Sequence, residues 1–276
     1  MNRMELSAES AILLILFILS KNPLSFSMPG LLPLDPPVFS PRFDDAARRA
    51  GFKAQLYGGI NGHPLNAYTK RTPGIRPRVY VSAGMHGDEP APPLALLQLM
   101  EEGFFDDRCT WFICPLLNPT GFLKNTRENF AGIDLNRDYK SLHTAEVLAH
   151  VMWLRLQPRF DLVICAHEDW EARGFYLYEL NLGGRASLAP ALLAAARLHG
   201  PIEDAAVIDG RPSAAPGLIR PVSDPVLRDT WPEALYLAYK HCGLNYTLET
   251  SSGQPLEQRI TTQGAVLRAA LAAFLQ

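Results

Sequence analysis

The stretch Val79–Pro90, VYVSAGMHGDEP, decides the fold. Its first five residues, Val79 to Ala83, form an apolar run of β-branched and aromatic character, the composition of a buried strand. The chain then turns through Gly84, Met85, His86, Gly87, Asp88 and Glu89, ending at Pro90. A helix is expected next, from Ala91 to about Glu102. Pro92 and Pro93 are tolerated in a first turn, where no N–H is needed, and Gly103 sits where a helix stop belongs. A strand, a tight polar loop and a helix in that order open a layered α/β unit, whose ligands bind beyond the carboxyl ends of the strands.

Further along, Thr110–Cys114 (TWFIC), Leu162–Ala166 (LVICA), Phe175–Tyr178 and Asn245–Glu249 read as strands. Ser141 is the expected N-cap of a helix to about Leu156. Residues 186–199 and Pro232–Cys242 give two more helices, and a C-terminal helix closes the chain. A long polar segment runs from Asn118 to Lys140, and the Pro- and Gly-rich residues 209–230 read as a long loop. This alternation implies a three-layer α/β/α domain around a central mixed, mostly parallel sheet. No internal repeat breaks it.

With 276 residues, 47% of them hydrophobic, the chain can bury one large core. Its 26 basic and 28 acidic residues nearly balance and form no basic cluster, so no nucleic-acid surface is expected. The four cysteines, Cys109, Cys114, Cys165 and Cys242, contain no CxxC pair and read as small apolar core residues. Ala11–Leu19 is an apolar run too short to span a membrane, so no stable span is expected. It has the length of a signal-peptide core, and Ser25-Phe26-Ser27 loosely resembles a cleavage site, but Glu5 and Glu9 stand where a basic region belongs. Residues 1–27 are therefore read as a signal peptide or a misassigned start before Met28, and residues 28–276 as one catalytic domain. A cytoplasmic location is expected, and a periplasmic or secreted one if the run is a signal.

The chemistry lies at the strand ends. His86 and Glu89 follow the first strand, His167 follows LVICA at once, and Glu249 ends the last strand. Two His and one carboxylate are a common catalytic zinc set that leaves room for water. Gly87 and Pro90 argue against a helical HExxH arrangement and for a tight loop folding both side chains inward.

HGDE at 86–89, NPTGF…R…GIDLNR from Asn118 to Arg137, the strand-end His167 and Glu249 in TLET together resemble the M14 zinc carboxypeptidases over about residues 50–276. The resemblance extends to murein peptide amidase-like members and to the succinylglutamate desuccinylase–aspartoacylase branch. It implies that His86, Glu89 and His167 hold one Zn2+ per chain. Asp134 would accept a hydrogen bond from the far nitrogen of His86. Arg127 would stabilise the oxyanion, and Asn136 and Arg137 would bind a substrate carboxylate. Glu249 would take a proton from the zinc-bound water and pass it to the leaving amine.

The implied substrate is a peptide or acyl amino acid with a free carboxylate; the sequence is silent on oligomeric state. An N-acyl amino acid deacylase is the near alternative, and a zinc-binding recognition module without catalysis the distant one. The family's substrate-closing tyrosine has only candidates here, Tyr236, Tyr239 and Trp231. The acidic run Glu168-Asp169-Trp170-Glu171 is read either as a solvated loop or as a cleft wall favouring an amine-bearing substrate, such as a diaminopimelate-containing peptide.

Overall fold

Residues 34–221, 225–241 and 243–276 are described by a computed structural model. The N-terminal run, Met28 and Cys242 lie outside the described residues.

Helix α1 (Pro36–Arg49) opens on Pro36 and Pro37 and tolerates Pro41 in its interior. Strands β1 (Lys53–Ile60) and β2 (His63–Lys70) pair as a hairpin across Asn61 and Gly62, both at positive φ, as a two-residue turn of this hand requires. These three elements precede the first strand expected from sequence. Prolines in the helix and an exposed, glycine-bearing β1 remove the periodic signal that would have marked them.

From there the order follows the reading. Strand β3 (Arg78–Ser82), helix α2 (Ala91–Glu101) and strand β4 (Thr110–Cys114) come first. The polar segment at 118–140 contains a short helix α3 (Pro119–Lys124) and a 3-10 turn at Leu135–Arg137. Helix α4 (Ala145–Arg155) starts after Thr144 rather than Ser141. The carboxylate of Asp138 takes the backbone N–H groups of His143 and Thr144 at 3.0 and 2.7 Å, and Leu142 adopts a φ of 56°. That side-chain-bonded turn displaces the helix start.

Strands β5 (Leu162–Asp169) and β6 (Tyr176–Asn181) and helix α5 (Ala189–Arg197) follow. Residues 209–230 are not wholly loop: β7 (Val207–Ile208) and β8 (Arg211–Pro212) make a small hairpin, and β9 (Leu218–Ile219) joins the main sheet. Helix α6 (Glu233–Lys240), strand β10 (Leu244–Ser251) and helix α7 (Leu256–Phe274) complete the chain.

The main sheet has the order β1-β2-β4-β3-β5-β10-β6-β9. Its centre, from β4 through β3 and β5 to β10, is parallel, and antiparallel pairs flank it. Helices α1, α2, α5 and α7 pack on one another, with α2 against β5 and α7 against β10, while α4 lies on β1 and α6 on β5, β6 and β10. The expected three-layer architecture is thus present. Leu34–Gln276 fall within one compact unit. Cys109, Cys114 and Cys165 are buried, in keeping with a core role. Among the described residues no helix is long and apolar enough to cross a membrane.

Side-chain alternation sorts the chemistry. On β5, Cys165, His167 and Asp169 face one side, and Ala166 and Glu168 the other. In the parallel register of β5 and β10, Glu249 stands opposite His167 and Ser251 opposite Asp169.

Candidate metal centre and active site

The loop after β3 is held by its neighbours. Ala83 N–H donates to Cys114 O at 2.9 Å, and Asn118 N–H to Gly84 O at 2.8 Å. Gly87 N–H reaches Thr126 O at 2.9 Å. Asn118 is the hub: fully buried, its amide donates to Met85 O and Arg127 O and accepts from Gly121 N–H and the Thr120 hydroxyl. One side chain therefore ties the His86 loop, α3 and the Arg127 segment together. Gly87 is needed for close approach rather than for a special φ. A Cβ there would sit 1.9 Å from the Gly121 carbonyl carbon.

This scaffold brings His86, Glu89 and His167 together, all buried, with one donor atom from each lying within 4.8 Å of the others. His86 Nδ1 is 2.5 Å from Glu89 Oε1, and His167 Nδ1 is 3.0 Å from Glu89 Oε2. The far nitrogen of His86, Nε2, is 3.3 Å from Asp134 Oδ1. An Nε2–H donating to Asp134 leaves the Nδ1 lone pair pointing at the centre. Two imidazole nitrogens and a carboxylate oxygen so arranged are a fitting donor set for a divalent transition metal. The structure thus brings His86, Glu89 and His167 into one cluster and sets Asp134 beside the far nitrogen of His86.

Electrostatics follow from burial and charge together. Burial raises the Glu89 carboxyl, but the charges of His86 and His167 and their hydrogen bonds outweigh it and hold it well below the usual range. Burial lowers His86, yet Glu89 and the bond to Asp134 raise it on balance. Glu249 goes the other way: burial, with Glu89, Asp169 and Asp209 as negative neighbours, pushes it well above the ordinary value despite His167. A carboxyl so raised holds a proton more readily than an exposed one.

Arg127 is anchored by an Nε bond of 3.0 Å to Asp134 Oδ2, and its Nη1 lies 3.7 Å from Glu89 Oε1. Its guanidinium is one-third exposed, leaving other N–H groups free to meet a ligand. Asn136 is half-buried, and its Oδ1 accepts from the Glu233 N–H at 2.9 Å, at the start of α6. Arg137 is exposed and donates to the Asn136 carbonyl at 3.0 Å.

Two expectations need correction. Glu168 is neither in a solvated loop nor on the cleft face: it is buried on the α7 side, where Arg259 Nη1 donates to it at 2.8 Å. Asp169 alone of that pair shares the face of His167, with the Tyr176 hydroxyl bonded to it at 2.8 Å. Among the tyrosine candidates, Tyr236 is buried against Tyr139 and His241, which removes it as a closing side chain. Tyr239 is exposed and lies beside Trp231, with ring centroids 6.3 Å apart.

Sequence reasoning missed Asn118 and Glu233. Glu233 is fully buried; the hydroxyls of Tyr80 and Ser82 donate to it at 2.7 and 2.8 Å. A carboxylate at a helix start after proline is a common surface feature, so only the partners on β3 reveal it.

A mostly parallel sheet thus carries a His-Glu-His cluster at its carboxyl edge. The chain belongs to the succinylglutamate desuccinylase/aspartoacylase catalytic domain family, whose family model matches residues 75–275. A protein from Shewanella amazonensis assigned as a metallopeptidase superposes with a TM-score of 0.75 at 25% identity, over 86% of this chain and 92% of that one. A metallo-carboxypeptidase from Burkholderia cenocepacia shares the fold at TM-score 0.62 and 19% identity, over 83% and 67%. One from Pseudomonas aeruginosa does so at 0.57 and 18%, over 86% and 70%. Curated protein sequences gave no match.

Proposed function

We propose that the chain is a zinc-dependent metallocarboxypeptidase or peptide amidase that hydrolyses the amide bond before a C-terminal residue with a free carboxylate. One observation carries this reading: Glu249 stands in register with His167 on the same sheet face, beside the buried His86-Glu89-His167 centre. A binding module has no need of a raised carboxyl there.

His86, Glu89 and His167 would hold the zinc, which when bound supplies Lewis acidity toward a carbonyl and acidifies water to a pKa of about 7. Glu249 takes the proton of the attacking water and delivers it to the leaving amine. Its raised affinity for a proton suits both halves of that task. Arg127, steadied by Asp134, presents guanidinium N–H groups to the developing oxyanion. Asn136 and Arg137 receive the substrate carboxylate.

A second reading is favoured by the family match: cleavage of N-acyl amino acids by the same residues. Both substrates end in an amino acid with a free carboxylate. The test is hydrolysis across two panels, C-terminally free peptides and N-acyl amino acids, with chelator and with zinc restored. Chelator-sensitive release of C-terminal residues supports the first reading. Activity confined to acyl amino acids replaces it with the second, and silence on both panels from zinc-loaded protein counts against both.

A further inference from the structure

Helix α2, which begins two residues after Glu89, has an unusual start. Its N-cap is Pro90 and no local side chain caps it. Pro92 and Pro93 carry no N–H, and Leu94 N–H already reaches Pro90 O at 3.3 Å. Ala91 therefore holds the one first-turn donor left over, and a buried helix start must find it a partner. That partner comes from another strand: Ala91 N–H donates to Glu168 Oε2 at 3.2 Å.

Glu168 directly follows His167 in the chain. Its side chain has no exposure, and its other oxygen accepts from Arg259 Nη1 at 2.8 Å and from the Thr250 hydroxyl at 3.4 Å. One turn further along α7, Gln263 donates to the His167 carbonyl at 2.8 Å and to the Thr250 hydroxyl at 3.1 Å. The two segments that carry Glu89 and His167 are thus joined by one carboxylate, and α7 braces the joint from beneath.

We propose that Glu168 is a positioning residue for the metal centre: a strut that caps α2 from β5 and so sets the spacing between Glu89 and His167. The proposal rests on reading His86, Glu89 and His167 as metal ligands. A carboxylate suits the task because it accepts from Ala91 and Arg259 at once, with charge favourable to a helix N-terminus. A merely stabilising ion pair in this place would leave the affinity of the folded protein for metal unchanged.

The test is the zinc dissociation constant, from competition with a chromophoric chelator on folded full-length protein, beside apo and zinc-loaded Tm. His86→Ala and His167→Ala first establish that zinc binds at this centre; wild-type affinity in both would sink the site reading itself. Given a positive result there, Glu168→Gln and Arg259→Lys are each expected to weaken zinc affinity by about tenfold or more, the usual scale for residues that orient ligands. Val266→Ala, buried on α7 but outside the strut, is the control: it should lower Tm and leave zinc affinity as it was. Folded Glu168→Gln and Arg259→Lys proteins that bind zinc like wild type would overturn the proposal. So would a Val266→Ala protein whose affinity falls equally, since the effect would then track stability alone.

Discussion

Gly87→Ala is the sharpest single perturbation of the ligand loop. An alanine Cβ at this position would lie 1.9 Å from the Gly121 carbonyl carbon, 2.3 Å from its oxygen and 2.3 Å from Phe122 N. Ordinary contact begins at 3.4 Å, so the loop or α3 must retreat by about 1.5 Å. Neither can do so freely, because Asn118 ties both to the same hub and Gly87 N–H is bonded to Thr126 O. Metal–ligand distances tolerate only about 0.2 Å, and His86 and Glu89 flank the displaced residue. The expected result is a loss of zinc affinity on the order of 100-fold, read by chelator competition on protein shown folded by circular dichroism. Gly264→Ala is the companion control: it lies within α7, meets nothing within 4 Å, and should keep wild-type zinc affinity while gaining roughly 0.5–1 kcal/mol of stability. Wild-type zinc binding by folded Gly87→Ala protein would refute the reasoning, since the rigidity of the hub is its premise.

Glu249→Gln should keep zinc content and lower kcat by about 10²–10⁴ on whichever panel the wild type turns over; equal activity would restore the recognition-module reading. Asn136→Asp keeps an oxygen for the Glu233 N–H but turns a carboxylate toward the substrate, so KM for free-carboxylate substrates should rise by about tenfold or more with a smaller change in kcat. His150, buried between the Tyr80 and Tyr139 hydroxyls, has its pKa lowered by burial to about 3. The unfolded chain takes up this proton near pH 6.5, so stability falls as the pH drops below that value, by about 2 kcal/mol at pH 5. Urea melts of wild type and His150→Gln at pH 7 and pH 5 check this; an identical pH dependence in both would count against it.

The middle of the fold was legible because β3, β4 and β5 are buried on both faces and carry the apolar runs Val79–Val81, Trp111–Cys114 and Leu162–Ala166. His86, Glu89 and His167 were legible because they follow such runs, and Glu249 because it ends the stretch read as the last strand. What stayed hidden was set by partners distant in sequence. Glu168 looked like one acid in an acidic stretch, and only alternation along β5 and the position of α7 turn it away from the cleft. Glu233 and Asn118 owe their importance to bonds with β3 and the His86 loop, which no local pattern encodes. The hairpin of β1 and β2 escaped notice for the opposite reason: its outer strand is exposed and carries little apolar signal.

The bond between Glu233 N–H and Asn136 Oδ1 has an effect beyond holding α6. A main-chain N–H can only donate, so the amide cannot flip, and its NH2 is the end left over for other partners. Under the proposed reading Asn136 presents its NH2 hydrogens to this edge of the cleft. An ionised carboxylate can accept those hydrogens, whereas an ammonium or amide N–H meets its own kind. The cleft would thus carry a polarity filter written in backbone geometry, one that no titration can reverse.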